Sequence, residues 1–202
     1  MTDNQLHYEE TTTEPTQESE IDLEKARRGT RLLLEAVGED PDEAPLTETW
    51  ERRVPDMFET LTEGTQETAK PDLRTFEADA DELIIKTEIP VYSLCEHHML
   101  PFFGVAHVGY RPDSEIVGLS KLPRYVRWQS RQLTTQECLT ADIAEGLFDE
   151  LDPESVIIEL TATHLCEAMR GVETRTETTS RATAGDLSDS DRTQFDNVLT
   201  NL

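Results

Sequence analysis

Positive charge is scarce in this sequence. Its 202 residues include 18 lysines and arginines against 43 aspartates and glutamates, and the formal net charge is −25. Binding to nucleic acid draws on an excess of basic residues facing the phosphates, so we exclude nucleic acid as a partner. The lysines number four, namely Lys25, Lys70, Lys86 and Lys121.

An acidic, lysine-poor surface suits concentrated salt. Salt at 1 M screens charges over about 3 Å, so repulsion between carboxylates is weak there and the chain stays soluble. We therefore interpret the composition as that of a halophilic, cytoplasmic protein. The alternative is an acidic protein from an ordinary cell.

Long apolar runs are absent and cysteines are few. No segment has the length and apolar character of a membrane span, and the chain does not start like a signal peptide, so we expect no membrane partner. Cys95, Cys138 and Cys166 are too few for a secreted disulfide scaffold. In a cytoplasmic chain they are better interpreted as thiols or metal ligands.

The distribution of apolar residues predicts three parts. Residues 1–20 form an acidic tail that we expect to be disordered, and residues 21–66 form a helical region. Residues 67–202 form an α+β domain with a four-stranded antiparallel sheet and two helices on one face. The predicted helices cover 21–37, 50–61, 122–131, 134–151 and 189–202. The first predicted strand contains the β-rich pieces 83–85 and 89–92, and the other three strands cover 102–110, 155–166 and 171–183.

Two short clusters contain residue types that bind transition metals. Cys95 and His98 are three residues apart on a predicted turn, and Cys166 ends a predicted strand, on the face that carries His164. Thiolate and imidazole suit Zn²⁺, and three protein ligands leave one position open, as in catalytic zinc sites. His97 and His164 would remain unligated and free to move protons near neutral pH. The alternative is that the cysteines are core thiols and the histidines ordinary polar residues.

A stretch without acidic residues stands out in so acidic a chain. Residues 116–136 contain no aspartate or glutamate, and Ser120 and Lys121 precede a predicted helix there. Cations and helix-start amides attract anions, so we expect a phosphate-bearing ligand. The alternative is a basic helix face that pairs with an acidic neighbouring subunit. The basic residues of the stretch are Lys121, Arg124, Arg127 and Arg131, and Arg170 could join them.

Gln136 and Glu137 end this stretch. A carboxylate can accept two N–H groups from the edge of a guanine. The alternative is a favourable interaction of Glu137 with the helix dipole, and taken alone the position of this residue favours that alternative.

Together these segments resemble the GTP cyclohydrolase type I family, in the family's order and spacing, from about residue 21 to the C-terminus. The matching residues are Cys95–His98 with Pro101, Phe102, Gly104 and His107; Gly118–Leu122 with Arg124; Gln136–Thr140; and His164–Gly171.

The resemblance implies a T-fold enzyme that needs Zn²⁺ and acts on GTP. It implies Cys95, His98 and Cys166 as zinc ligands, with His97 and His164 as the catalytic proton-transfer residues. Water activated by the zinc would attack C8 of guanine, releasing formate and giving 7,8-dihydroneopterin triphosphate. The implied assembly is a decamer of two pentamers with shared active sites. The residues implied in binding GTP are Ser120, Lys121, Arg124 and Arg170 for the triphosphate and Gln136 and Glu137 for the guanine.

The sequence departs from the family pattern at residues 42–46 and at Gln132, Thr134 and Cys138. None of these is a ligand or catalytic position, so the departures bear on interfaces and regulation. Two other functions stay open. Another T-fold enzyme of pterin or deazapurine chemistry would call for three histidine ligands, and a non-catalytic zinc-stabilised binding module would call for a fourth protein ligand.

Overall fold

A computed structural model of the chain describes residues 21–77 and 82–202. The helices are α1 Leu23–Ala36, α2 Leu46–Glu48, α3 Val54–Leu61, α4 Lys121–Gln129, α5 Gln136–Leu151, α6 Leu165–Ala168 and α7 Asp189–Thr200. The strands are β1 Thr75–Glu77, β2 Ile84–Cys95, β3 Pro101–Arg111, β4 Glu115–Val117, β5 Leu133–Thr134, β6 Ser155–His164 and β7 Thr178–Gly185. A π-helical turn, Thr49–Arg53, joins α2 to α3.

The main sheet has the strand order β5-β2-β3-β6-β7, and β1 and β4 form a separate antiparallel pair. The four long strands are antiparallel, whereas the two-residue strand β5 runs parallel to β2. Ile84 lies opposite Tyr110 and Leu94 lies opposite Pro101. The sheet therefore has a Cys95 end, where β2 stops, and a Tyr110 end, where β2 starts.

Helices α4 and α5 cover one face of the sheet and form the main core with it. Both contribute fully buried side chains, such as Leu122 and Val126 from α4 and Ile143 and Leu147 from α5. Each strand alternates its side chains between two faces, so its inward residues meet these helices. The core residues of the strands include Val91, Phe102, Ala106, Val108, Val156, Ile158 and Leu160.

The opposite face of the sheet is partly covered by the C-terminal helix α7. Phe195 is fully buried against Ile157 and Leu83. Asp191, also buried, forms an ion pair with Arg111 at the end of β3. An apolar anchor and a charged anchor thus fix this helix to the sheet.

The α+β class, the antiparallel sheet, the two helices on one face and the preceding helices are confirmed. Some boundaries differ from the prediction. The β-rich pieces 83–85 and 89–92 belong to the first long strand, β2, which extends to Cys95 and whose register shifts between Lys86 and Ile89 at a bulge. The last strand, predicted over 171–183, begins at Thr178. The two-residue strand β5 was not predicted.

The predicted acidic tail, residues 1–20, lies outside the described residues. Within the ranges that the structure describes, none of the helices is long and apolar enough to cross a membrane.

Candidate active site

The turn between β2 and β3 presents Cys95, His97 and His98. Cys95 closes the turn, because its N–H donates to Leu100 O at 2.9 Å and its carbonyl accepts from Met99 N at 2.7 Å. The backbone of Met99 is left-handed, with φ of 54°, which lets the chain reverse within a few residues. Cys95 is buried, whereas the two histidines are exposed on the turn.

Cys166 reaches the same place from the far side of β3. Strand β6 pairs with β3 and places His164 opposite Phe102, directly after the turn. The strand ends at His164, so Cys166 lies in the first turn of α6 and not on the strand as predicted. The tight turn into this helix brings its sulfur 4.0 Å from the Cys95 sulfur.

Cys95, His98 and Cys166 form a group that could hold a metal ion, with ligand atoms all within 4.8 Å of one another. Two sulfurs bound at about 2.3 Å to one tetrahedral zinc lie about 3.8 Å apart, so the spacing fits that ion. Among the described residues this group has three members, one of them a histidine. Neither the three-histidine set of the rival T-fold enzymes nor the four-ligand set of a binding module is present there.

The surroundings of Cys166 disfavour its charged state. Burial and the neighbouring Cys95 sulfur both raise the pKa of the Cys166 thiol. All three cysteines are free thiols, so none is committed to a disulfide. Cys138 is exposed on α5 and is not a member of this group.

His164 is held on two sides. Its ring stacks on Phe102, with centroids 4.9 Å apart and planes 10° from parallel. Its Nε2 lies 2.7 Å from Oε1 of Gln136. Burial lowers the pKa of His164, and Glu137 and Glu167 partly oppose that shift.

Gln136 and Glu137 begin α5 close to His164 but differ in burial. Gln136 is fully buried, and its amide nitrogen donates to Leu160 O at 2.8 Å and to Thr178 O at 2.9 Å. Glu137 is exposed. The side chain of Gln136, predicted to hold guanine, is therefore engaged with the sheet, and Glu137 is the one open to a ligand.

The residues predicted to bind triphosphate fall into two groups. Arg170 is exposed four residues after Cys166, at the Cys95 end of the sheet. Ser120 and Lys121 begin α4 after β4, where Val117 N donates to the hydroxyl of Tyr110. They therefore lie towards the Tyr110 end.

These two ends are well separated. Residues 102 to 110 of β3 alone span about 27 Å at 3.3–3.4 Å per residue. Helix α4 starts near the Tyr110 end and leads back to β5, which pairs with β2 at Cys95. One chain therefore does not bring Ser120 and Lys121 to the cysteines.

The start of α4 has the features of an anion site. Ser120 is its N-cap, but the hydroxyl does not bond to the helix, and no acidic residue occupies the first turn. By contrast, α5 is capped by the side chain of Thr135. Lys121 N donates to Gly118 O at 2.7 Å and Pro123 has no N–H, so the Leu122 N–H and the Ser120 hydroxyl are the first-turn donors left for a ligand.

Along α4 and just after it, the arginines of the acid-free stretch share one cavity of about 330 Å³. Arg127 lies 3.8 Å from the carboxylate of Glu63, and the buried Nε of Arg131 has no hydrogen-bond partner among the described residues. The cavity is lined by Ile89, Pro90, Tyr92, Pro123, Arg124, Arg127, Ser130 and Arg131.

Two contacts of the site were not predicted from the sequence. The stacking of Phe102 on His164 depends on the register between β3 and β6, which the sequence pattern does not fix. The burial of Gln136 was also missed, since a glutamine at a helix start beside a glutamate is usually exposed. The apolar alternation of β6 predicts the face of the strand on which His164 lies, but not its neighbour on β3.

Comparison with known proteins identifies the family. The family model described as GTP cyclohydrolase I matches residues 26–201. A protein named GTP cyclohydrolase 1 from Hyperthermus butylicus is 45% identical over 167 residues, which cover 83% of this chain and 84% of the relative. Another of that name from Chlorobaculum tepidum is 44% identical over 174 residues, 84% of this chain and 77% of the relative.

Among solved structures, the chain is similar to the archaeosine synthase QueF-Like in the apo form. The sequence identity is 16% and the TM-score 0.41, with 55% of this chain and 100% of that chain covered. A likeness at this level carries no argument about function.

Proposed function

Because the chain belongs to the GTP cyclohydrolase I family and is a GTP cyclohydrolase, we propose that it binds zinc and opens the imidazole ring of guanine in GTP. The products are formate and 7,8-dihydroneopterin triphosphate. The observation that carries this proposal is the convergence of Cys95, His98 and Cys166 from two chain segments beside His164.

Zinc is the proposed metal because of the donor set. Two thiolates and one imidazole suit a borderline-soft ion, and three protein ligands match the open sites of zinc enzymes. The chemistry that zinc supplies when bound is Lewis-acid activation of water near neutral pH.

Two histidines transfer protons in this proposal. His97 is exposed on the turn, next to the ligand His98, and it protonates the guanine ring near N7. Its Nε2 lies 3.6 Å from the carboxylate of Glu96. His164, fixed against Phe102, moves protons during ring opening and the rearrangement of the ribose.

Substrate binding uses charge and hydrogen bonding at both ends of GTP. The exposed carboxylate of Glu137 accepts the N–H groups at the guanine edge, beside His164. The triphosphate is held by cations and by a hydroxyl at the start of α4. The cations are Lys121, Arg124 and Arg170, and the hydroxyl is that of Ser120.

A complete site requires more than one chain in this proposal. Ser120 and Lys121 lie away from the cysteines, so a neighbouring copy must supply one of the two groups. Within the described ranges, β7 pairs on one side alone, as does β2 outside its last two residues, so both edges can accept a further strand. A decamer of two pentamers, with residues 67–202 as the catalytic unit, would supply both the second chain of the site and partner strands for the two sheet edges. The free thiols suit a cytoplasmic setting.

The test is metal content and formate release for matched cysteine variants. Cys166→Ala removes a ligand, so it should lose both zinc and formate release from GTP. Cys138→Ala removes an exposed thiol outside the site and should keep both. Full zinc occupancy in Cys166→Ala would contradict the ligand assignment, and an inactive zinc-loaded wild type would contradict the reaction.

A further inference from the structure

The amide of Gln136 has a fixed orientation. Its nitrogen lies within 2.9 Å of two backbone carbonyls, Leu160 O and Thr178 O, and 3.1 Å from the hydroxyl of Ser180. Carbonyl oxygens accept hydrogen bonds and never donate, so the atom that faces them must be the NH₂ group. The amide oxygen therefore points the other way, towards His164.

This orientation determines which nitrogen of His164 carries a proton. The oxygen of Gln136 can only accept, and it lies 2.7 Å from Nε2 of the imidazole. Nε2 must then be the donor, so a neutral His164 has its hydrogen on Nε2 and a lone pair on Nδ1.

The second nitrogen is left open. Nδ1 of His164 has no hydrogen-bond partner among the described residues. The buried side-chain atoms without a partner do not include it, so this nitrogen is not buried. It is therefore accessible to a ligand. The stacking on Phe102 holds the ring plane, while the bond to Gln136 limits rotation within that plane.

We propose that Gln136 is a positioning residue, which holds His164 in the Nε2–H form so that Nδ1 is the atom that exchanges protons with the substrate. This inference rests on the proposed function, since it assigns an atom to a step of that reaction. It differs from a role of the Gln136 side chain in binding guanine, because the side chain is fully buried and its amide is committed to the sheet and to His164.

The two roles make different kinetic predictions. A lost guanine contact weakens substrate binding, so KM rises. A lost positioning contact leaves binding in place and lowers kcat, because the proton-transfer group is misplaced or in the wrong tautomer.

The kinetic experiment compares Gln136→Met with Ser180→Ala. Methionine keeps the length of the side chain and loses the acceptor for His164. Ser180→Ala removes a neighbour of the same amide without touching His164, so it is the matched control. We expect kcat of Gln136→Met to fall roughly 100-fold, with KM for GTP and zinc content unchanged, and Ser180→Ala to stay close to wild type. A raised KM with kcat kept, or full activity, would overturn the inference.

A direct measurement covers the case in which Gln136→Met does not fold. Solid-state NMR of the ¹⁵N-histidine-labelled wild type at about pH 8, where unperturbed imidazoles are neutral, reports the tautomer of each ring. The His164 signals are identified by their absence in His164→Ala. The expected result is a protonated Nε2 and an unprotonated Nδ1, and the opposite tautomer would overturn the inference. The tautomer is read without turnover, so a wild type that releases no formate refutes the proposed function separately.

Discussion

At the scale of single residues, the proposed function gives the neighbours His97 and His98 different roles, proton transfer for the first and metal binding for the second. His98 belongs to the ligand group with the two cysteines, and His97 does not. We predict that His98→Ala loses zinc and activity together, whereas His97→Ala keeps zinc and loses turnover. Metal analysis and formate release on the two purified variants test this. Equal loss of metal from both would show that His97 is also a ligand.

His107 shows that a histidine of the family motif can serve the fold. It is nearly buried in β3, and its Nδ1 accepts the N–H of Glu88 at 3.4 Å. Glu88 has a left-handed backbone, with φ of 54°, at the bulge of β2. Nδ1 of His107 can accept this hydrogen bond as long as the imidazole stays neutral. Burial lowers the pKa of His107, although Glu88 and Glu159 oppose the shift.

This lowered pKa predicts a loss of stability in mild acid. Below about pH 6.5 the unfolded chain binds a proton at His107 that the folded chain binds more weakly, so stability falls as the pH drops from 6.5 towards the folded-state value. His107→Gln keeps an acceptor without titrating. As the pH falls through this window, the unfolding free energy of the wild type should therefore decrease by up to about 1.4 kcal/mol per pH unit more than that of His107→Gln. Urea unfolding measures both. Parallel pH profiles for both proteins would contradict the prediction.

At the scale of elements, the ion pair between β3 and α7 fixes the C-terminal helix. Arg111 donates to Asp191 through Nε, at 2.8 Å, and through a second guanidinium nitrogen. Arg111 holds the pKa of Asp191 below its usual range. Arg111→Met leaves that buried carboxylate without its main partner, so we expect a loss of roughly 3–5 kcal/mol in unfolding free energy. The matched control is Arg192→Met, an exposed arginine of α7, and equal effects of the two would contradict the prediction.

How far the sequence predicts the elements depends on where their contacts lie. Helix α5 was predicted to within two residues, because its apolar stripe is local to the segment. The strand 171–183 was placed too early, since its start at Thr178 is set by pairing with Ala162 on β6. Cys95 and Cys166 could be proposed as metal ligands from residue type and from the family resemblance. The burial of Gln136 could not, because its partners on β6 and β7 are distant in sequence.

At the scale of the whole molecule, we expect charge to govern the association of the proposed oligomer. The chain carries −25, so copies of it repel one another and repel GTP at low salt. Molar salt screens this repulsion, and it weakens contact ion pairs in a partly buried site much less. We predict that oligomer size and activity rise together towards molar KCl, and that Lys121→Ala raises KM at every salt concentration. Sedimentation and GTP turnover across a salt series test this, and a fully assembled enzyme that is most active in dilute buffer would refute it.

The separation of the α4 start from the cysteines has a genetic consequence. If one chain supplies the metal ligands and a neighbour supplies Lys121, two inactive variants can complement each other. Cys166→Ala and Lys121→Glu, each inactive alone, should regain activity when dissociated and reassembled together. Random mixing at equal amounts returns about a quarter of the sites to wild-type composition, because each site draws on one interface between two copies. A mixture as inactive as its components would show that each chain builds its site alone.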